Sequence, residues 1–170
     1  MRSGGSLPPK NSEAPSPQSL IPTEDKAGDG AAFATEEYNE VARSAKLRDI
    51  LLIGSEFEVI PAYFEHNHDG EIVSKLGYNS TFTDFDFDDG VATGKWIWSV
   101  TARARRKKTL SILATYLVAY DGLAGCSHRA VFIYMRRVSR FASYPYFRTH
   151  VSHLSWESGA GLPILPTISS

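Results

Sequence analysis

The stretch from Arg129 to Pro166 constrains the fold of this chain more than any other. It reads RAVFIYMRRVSRFASYPYFRTHVSHLSWESGAGLPILP. Three arginines, Arg136, Arg137 and Arg140, fall on a flank that water can reach. Apolar residues recur at steps of three and four, which predicts one face of an amphipathic helix. These residues are Val131, Tyr134, Met135, Val138, Phe141 and Ala142, and the pattern resumes with Phe147, Val151 and Leu154.

Proline and glycine residues divide this stretch. Pro145 lacks a backbone donor and crowds the preceding turn, so it is expected to kink the helix or to restart it. Ser143 could cap a restarted helix, because proline is well tolerated in a first turn. Gly159 and Gly161 are expected to end the helix. By itself the pattern is typical of a helix that covers a core.

Length, charge and cysteine content limit the class of protein. A chain of 170 residues suits one domain with a spare tail. A formal net charge of −1 gives no general attraction to nucleic acid or to an anionic membrane. No apolar run approaches the ~20 residues of a membrane helix, and the first residues lack the apolar core of a secretory signal. A single cysteine, Cys126, cannot form an internal disulfide, which favours a reducing cytoplasm.

The first 32 residues differ in composition from the rest. Proline, glycine, serine and charged residues dominate there, and bulky apolar side chains are too sparse to offset the entropy of ordering. Residues 1–32 are therefore predicted to be a disordered tail, and residues 33–170 a single domain. The segment from Glu36 to Arg48 has only a weak apolar stripe, so a short helix and an irregular lead-in are equally compatible with it.

Four regions before the long helix show the two-residue period of strands, and the first two lie between residues 51 and 87. Leu51, Ile53, Phe57 and Val59 are predicted to share the buried face of a first strand that ends near Pro61. The sequence HNHDG at residues 66–70 predicts a turn, because Asp-Gly suits a tight hairpin bend. A second strand is predicted at residues 78–87. In its latter half two phenylalanines, Phe85 and Phe87, alternate with three aspartates, Asp84, Asp86 and Asp88.

A third and a fourth strand are predicted with a hairpin tip at residues 106–108 between them. The strands precede the helix, which predicts an α+β domain: a four-stranded antiparallel sheet followed by a long kinked helix packed on one face. The third strand places Trp96, Trp98, Val100, Ala102 and Ala104 on one face, and the fourth places Leu110, Ile112, Ala114, Tyr116, Val118 and Tyr120 on one face.

Three groups of residues have side chains of the types that bind metals or take part in catalysis. The aspartates at 84, 86, 88 and 89 have the spacing of a calcium loop, but the glycine comes one place late and Lys95 stands where a glutamate is needed. Two histidine pairs, His66/His68 and His150/His153, lack the further ligands of a tetrahedral site, so we interpret them as surface residues. Cys126 has only His128 as a neighbouring base, and no orienting third group is visible. The sequence therefore predicts no catalytic residues, no metal site and no cofactor.

The basic run Arg103 to Lys108 is the best argument for nucleic-acid binding. Its five cations could contact phosphates, and Trp96 and Trp98 could stack on bases. The tryptophans, however, occupy the strand face opposite to the arginines, where a core is expected.

The chain resembles the SecB-type export chaperones in the segment from Tyr144 to Pro166. Tyr-Pro-Tyr-Phe-Arg at 144–148 is followed by Val151-Ser152 and by Gly-Leu-Pro-Ile-Leu-Pro at 161–166, which is similar to an aromatic-Pro-Tyr-x-Arg helix with a glycine and a proline-leucine stretch. Four strands precede the helix, and Tyr120 to Leu123 stands where the fourth strand of the family turns away. The similarity spans about residues 46–166 and is sharp only from 144 to 166.

This resemblance implies an ATP-independent holdase of unfolded polypeptides, assembled as a homotetramer that is a dimer of dimers. The family holds clients in grooves between the sheet and the helices. The residues expected to bind a client or to form an oligomer interface are Tyr134, Met135, Phe141, Tyr144, Tyr146, Phe147, Val151 and Leu154.

The resemblance also implies two partners. The family contacts the export motor SecA through acidic residues on its sheet, and Asp84, Asp86 and Asp88 are candidates for such a face. Typical members continue into a second helix after the proline stretch, whereas this sequence stops at Ser170. In this respect it is more similar to the shorter SecB-like chaperones that shield an antitoxin. The alternatives are a non-catalytic scaffold for one folded partner and a nucleic-acid-binding protein.

Overall fold

The structure is a computed structural model and describes residues 29–67, 76–104 and 106–168. Its elements in chain order are helix α1 (Asp29–Ser44), strand β1 (Lys46–Val59), helix α2 (Pro61–His66), strands β2 (Gly77–Asp88), β3 (Val91–Ala104) and β4 (Lys107–Asp121), and helix α3 (His128–Ser158). The α+β class with strands before the long helix is confirmed. Helix α1 begins at Asp29, so it includes the last residues that the sequence assigned to the tail; residues 1–28 lie outside the described residues.

The four strands form one antiparallel sheet in the order β1-β4-β3-β2. Strands β1 and β2 therefore lie at opposite edges, and the hairpin that the Asp-Gly bend suggested between them is wrong. A two-residue turn joins only adjacent strands, whereas this connection must cross the sheet and includes α2. Asp69 and Gly70 themselves lie outside the described residues. The predicted hairpin between β3 and β4 is confirmed, but its tip is shorter than the predicted 106–108, because Lys107 and Lys108 already pair with Ala104 and Arg103.

The core lies between α3 and one face of the sheet. Every second residue of β3 and β4 is buried there, as the alternating pattern predicts. The rings of Trp96 and Trp98 stack with centroids 5.7 Å apart beneath the helix. Their indole N–H groups donate to the hydroxyls of Ser139 and Ser143 at 2.6 and 3.1 Å. Two serines in an otherwise apolar stripe thus satisfy the polar atoms of the largest core side chains.

Helix α3 runs for 31 residues without a break, and Pro145 lies inside it. The predicted restart with Ser143 as its cap is wrong, because that serine is buried against Trp98. Pro145 is on the exposed side, where water can bond the carbonyl that the proline leaves without a donor. The hydroxyl of Ser127 caps the start by accepting from the Ala130 N–H at 3.3 Å, and Gly159 ends the helix at a φ of +67°, as predicted.

Strand β1 departs from its predicted pattern. The register with β4 shifts between Leu52 and Gly54, which leaves Ile53 as an extra residue in a bulge. Because one extra residue reverses which face the following side chains occupy, Leu51 and Phe57 lie on opposite faces of the sheet rather than on the same one. The single buried face predicted for this strand is therefore wrong. Its apolar side chains Leu47, Leu51, Leu52 and Ile53 are 50%, 50%, 46% and 49% exposed.

Candidate functional site

A groove separates edge strand β2 from helix α3. Its main part has a volume of about 900 Å³. Small side chains on β2 leave this space open, because Ser80 lies opposite the much larger Trp98 in the strand register. Residues from both walls line it: Ser80, Thr81, Phe82 and Trp96 from the sheet, and Phe132, Ile133, Arg136, Arg137, Arg140 and Phe141 from the helix.

Two smaller clefts of about 300 and 520 Å³ extend the groove toward the C-terminal segment. The first shares Ser80 and Arg140 with the main groove, and the second shares Phe141 with it. Ile168 lines both smaller clefts. The space is therefore long and open rather than a closed pocket, and it suits an extended ligand better than a compact one.

Aromatic rings form one side of the groove. Phe82 contacts Trp96 at a centroid distance of 5.3 Å and Phe132 at 6.1 Å, which connects the sheet wall to the helix wall. Phe82 lies over Gly94, where an added Cβ would overlap the far end of its ring. A glycine at that position is what lets the ring lie flat on the neighbouring strand.

Three guanidinium groups form the rim on the helix side. Arg136, Arg137 and Arg140 are exposed, as predicted. Arg137 lies 5.8 Å from the ring centre of Tyr38, at the range of a cation–π contact. Among the described residues, none of the three arginines has a carboxylate within 4.0 Å. The groove therefore combines apolar surface with positive charge that no carboxylate of the described residues neutralises.

The strand side of the groove offers backbone groups. Among the described residues, β2 pairs only with β3, so its other edge is open. The Ser80 N–H donates to the side-chain carbonyl of Asn79 at 2.9 Å, and it therefore points away from β3. Because backbone groups of alternate residues in an antiparallel strand point the same way, those of Tyr78 and Phe82 face the open edge too.

The structure divides the eight residues predicted to bind a client or a second subunit. Five of them, Tyr134, Met135, Tyr144, Phe147 and Val151, are at most 7% exposed and belong to the core of the single chain. The interpretation of these five as available surface is not supported. Phe141 and Tyr146 are 38% and 53% exposed, and Leu154 is partly buried. Whether any of the eight contacts a client stays a prediction.

Sequence reasoning missed the two edge strands as candidate binding surfaces. The sequence pattern placed two of the exposed apolar residues of β1, Leu51 and Ile53, on a buried face. The run Leu51-Leu52-Ile53 breaks strict alternation and could have indicated a two-sided strand. On the β2 side, Tyr78 is 51% exposed and lines the first smaller cleft. Outside both surfaces, Trp156 is 88% exposed.

The acidic residues of β2 lie on the opposite side from the phenylalanines, as predicted. Asp84, Asp86 and Asp88 are exposed. Asp84 pairs with Lys95 at 2.9 Å, and hydrogen bonds from this lysine and from Thr83 lower the pKa of its carboxyl group. Lys95 thus already neutralises the carboxylate that a calcium ion would need. No group of three metal-ligating side chains occurs among the described residues.

The remaining candidates for chemistry occupy separate places. His150 is not a simple surface residue, since its Nε2 lies 2.8 Å from the Ser55 hydroxyl and burial lowers its pKa. Burial raises the pKa of the Cys126 thiol, with a further contribution from Glu40, and this disfavours a nucleophilic thiolate. His68 and the side chain of His66 lie outside the described part of the structure.

The basic hairpin is exposed at Arg106, Lys107 and Lys108, while Arg105 lies outside the described residues. Trp96 and Trp98 are 4% exposed and bonded to α3, so they cannot stack on nucleotides beside it. In the described regions, no helix has both the length and the apolar character that crossing a bilayer requires.

Comparison with known proteins identifies the fold. No family model matches the chain, and no curated protein matches its sequence. Among solved structures, the chain is similar to the SecB-like chaperone Rv1957 of Mycobacterium tuberculosis, determined in complex with a ChAD peptide from the Rv1956 HigA1 antitoxin. The two share 18% sequence identity at a TM-score of 0.61, over 84% of this chain and 100% of that chain. The chain therefore has a SecB-like fold.

Proposed function

We propose that this protein is an ATP-independent chaperone that holds unfolded polypeptide in the groove between β2 and α3. The observation that carries the proposal is an open groove with aromatic walls that runs beside a strand edge with no partner among the described residues. Burial of apolar area is non-directional, so such walls accept many sequences. An open strand edge accepts any extended backbone. The structural neighbour with this fold was determined with a bound peptide, which supports the same kind of ligand here.

The proposed activity is binding without catalysis or a cofactor. An unfolded segment gains stability from contact with Phe82, Phe132 and Phe141 and from backbone hydrogen bonds to β2. It leaves when folding offers it a better-buried alternative, so no nucleotide hydrolysis is needed. A cytoplasmic location belongs to this proposal, because unfolded clients of such a holdase are newly made chains.

Self-association is the second part of the proposal. Strand β1 has a free edge among the described residues and exposes Leu47, Leu51, Leu52 and Ile53. An exposed apolar edge strand is a template for pairing with another strand. A second copy of the chain, joined edge to edge at β1, would cover these side chains. The homotetramer expected from the resemblance would need a further contact between two such pairs.

Two partners remain candidates for the finer function. An antitoxin segment is one, since the neighbouring structure contains an antitoxin peptide. SecA is the other, through the exposed carboxylates of Asp84, Asp86 and Asp88.

Suppression of aggregation tests the proposal. The protein is expected to keep a chemically denatured, unrelated protein in solution at a near-stoichiometric ratio, as measured by light scattering. Phe141→Ser, in the groove, is expected to weaken this protection several-fold. Trp156→Ser is the matched control, because it removes a more exposed aromatic residue from the same helix outside the groove.

Absence of protection at any ratio would contradict the chaperone function. It would leave the scaffold for one folded partner as the better interpretation. Equal loss in both variants would show that general surface apolarity, and not the groove, holds the client.

A further inference from the structure

We infer that the groove selects extended segments with two acidic residues separated by one position and apolar residues at the next alternate positions on either side. We infer also that these segments add as a strand to the edge of β2 that is open among the described residues. The inference rests on the proposed chaperone function and names its substrate class. The arginines on the rim account for the preference for acidic residues, and the aromatic walls account for the apolar ones. The outward-pointing backbone of β2 accounts for the added strand.

The charge of the groove favours carboxylates. The described residues that line its three clefts include four arginines, Arg136, Arg137, Arg140 and Arg148, and no aspartate or glutamate. Among the described residues, none of the three on the main rim is engaged by a carboxylate of the chain. A guanidinium group forms two parallel hydrogen bonds with a carboxylate, so the rim offers positions for acidic side chains. The exposed aspartates of β2 lie on the other face and do not compete.

The spacing of the arginines matches an extended chain. Arg136 and Arg140 are one helical turn apart, a rise of about 6 Å along α3. Side chains on the same face of a strand repeat about every 6.8 Å. Two acidic residues separated by one position can therefore each reach one arginine. On one side, an apolar residue at the next alternate position would meet Phe132, which precedes Arg136 by a further helical turn. On the other side, it would pass Phe141 and reach the first smaller cleft, which Tyr78 and Tyr144 line.

The backbone of β2 favours a peptide over a nucleic acid. The outward Ser80 N–H is held by the Asn79 side chain, which a neighbouring strand can replace with a peptide carbonyl. This donor lies in the same wall of the groove as Phe82. A phosphate chain would use the arginines, but it would leave the alternating donors and acceptors of the strand edge without partners.

Fluorescence anisotropy with labelled ten-residue peptides tests the inference on the full chain. The first peptide carries valine, glutamate, glutamate and leucine at alternate positions, with threonine between them. A second has lysine in place of both glutamates. A third has the composition of the first, with its two glutamates at adjacent positions so that only one can face the arginines. An oligothymidylate of ten nucleotides is the competing probe.

The first peptide is expected to bind about tenfold more tightly than the second and measurably more tightly than the third. The double variant Arg136→Gln/Arg140→Gln is expected to remove that preference. Arg106→Gln, which removes a charge from the distant β3–β4 hairpin, is the control and should leave the preference unchanged. Circular dichroism checks that each variant is folded.

Three results would overturn the inference while leaving the chaperone function in place. In each of them the protein still suppresses aggregation, but it binds none of the peptides, binds all of them equally, or binds the lysine peptide most tightly. Tighter binding of the oligonucleotide, lost in the double variant, would assign the groove to nucleic acid. Failure of both peptide binding and aggregation suppression would instead remove the chaperone function itself.

Discussion

The two edges of the sheet differ in chemistry although they belong to one domain. The β1 edge exposes leucine and isoleucine on both faces and presents no groove among those described. The β2 edge exposes asparagine, threonine and aspartate beside a single large apolar side chain, Tyr78, and it faces α3 across a groove with a cationic rim. An edge with apolar side chains on both faces suits a large and lasting contact, whereas a more polar edge beside a groove suits a narrow and reversible one.

This difference teaches that an open strand edge is not one kind of site. What surrounds the edge decides its partner. At β1 the partner must cover side chains on both faces, which a second folded sheet can do. At β2 the helix limits access on one face, so only a single extended strand can enter. Four changes would break or sharpen this contrast.

The largest effect is expected at β1. Leu51→Glu together with Leu52→Glu places a charge on each face of the strand and is expected to abolish self-association. Burial of a leucine contributes about 1.5–3 kcal/mol, so the double change should weaken assembly by at least about 3 kcal/mol. Sedimentation velocity at micromolar concentration measures it.

Thr81→Glu at the β2 edge is the matched control and should leave the assembly unchanged. A wild-type protein that sediments as a monomer would disprove the role of β1. If the Thr81 variant dissociated instead, the interface between copies would lie at the β2 edge and not at the β1 edge.

Two glycine-to-alanine substitutions, one beside β2 and one in β1, are expected to have the next largest effects on stability. Gly94→Ala would push Phe82 from its place over β3, and such overpacking is expected to lower the unfolding free energy by about 2 kcal/mol. In β1, a Cβ at Gly54 would meet only Thr115 at 3.6 Å, an ordinary contact. Gly54→Ala is therefore expected to stabilise by about 0.5 kcal/mol, because alanine loses less backbone entropy. Urea unfolding measures both; equal effects would show that Phe82 moves freely.

Loss of the hydrogen bond between Trp96 and Ser139 is expected to have an intermediate effect on stability. Ser139→Ala leaves the Trp96 indole N–H buried without its acceptor, which is expected to cost about 1–2 kcal/mol. Ser152→Ala is the control, since that hydroxyl donates to the Arg148 carbonyl on the exposed side of the same helix. Thermal unfolding compares them. The change at Ser139 should also weaken peptide binding without altering assembly through β1; the reverse pattern would contradict the contrast between the edges.

The smallest expected effect is the pH dependence of stability that comes from His150 of α3, which contacts Ser55 of β1. Burial, with a further contribution from His153, lowers the pKa of His150 below the 6.5 of an ordinary imidazole. The unfolded chain therefore binds more protons than the folded one as the pH falls below 6.5, and stability should decline from there until the lowered pKa is passed. Unfolding free energies measured between about pH 7.5 and about pH 5 should show a smaller decline in His150→Gln than in the wild type. An identical decline in both would remove His150 as its source.

The parts of the fold with unbroken periodicity could be predicted from the sequence. Strands β3 and β4 alternate between buried and partly exposed residues along most of their length, so their buried faces were identified correctly. The end of α3 was predictable because Gly159 adopts a conformation that other residues avoid. The faces of strand β1 could not be predicted, because one extra residue, Ile53, reverses the face on which the following side chains lie.

The site was less predictable for a related reason. The apolar stripe of α3 shows which face of the helix is apolar, but not whether its partner belongs to the same chain. Tyr144 and Phe147 proved to be covered by Trp98 of their own sheet, with centroids at 5.1 and 5.6 Å. The groove depends on which strand forms the edge, and strand order leaves no trace in the alternation of β2.

The strand order has a consequence for how the proposed chaperone would capture long chains. Two copies joined symmetrically at β1 would form one sheet of eight strands, with the two β2 edges about 34 Å apart at its ends. Each binding site alone could then be weak. A flexible client long enough to reach around the particle would occupy both sites and gain avidity, because the second capture becomes intramolecular. A short peptide would gain nothing, so the assembly would discriminate between chains by length as well as by composition.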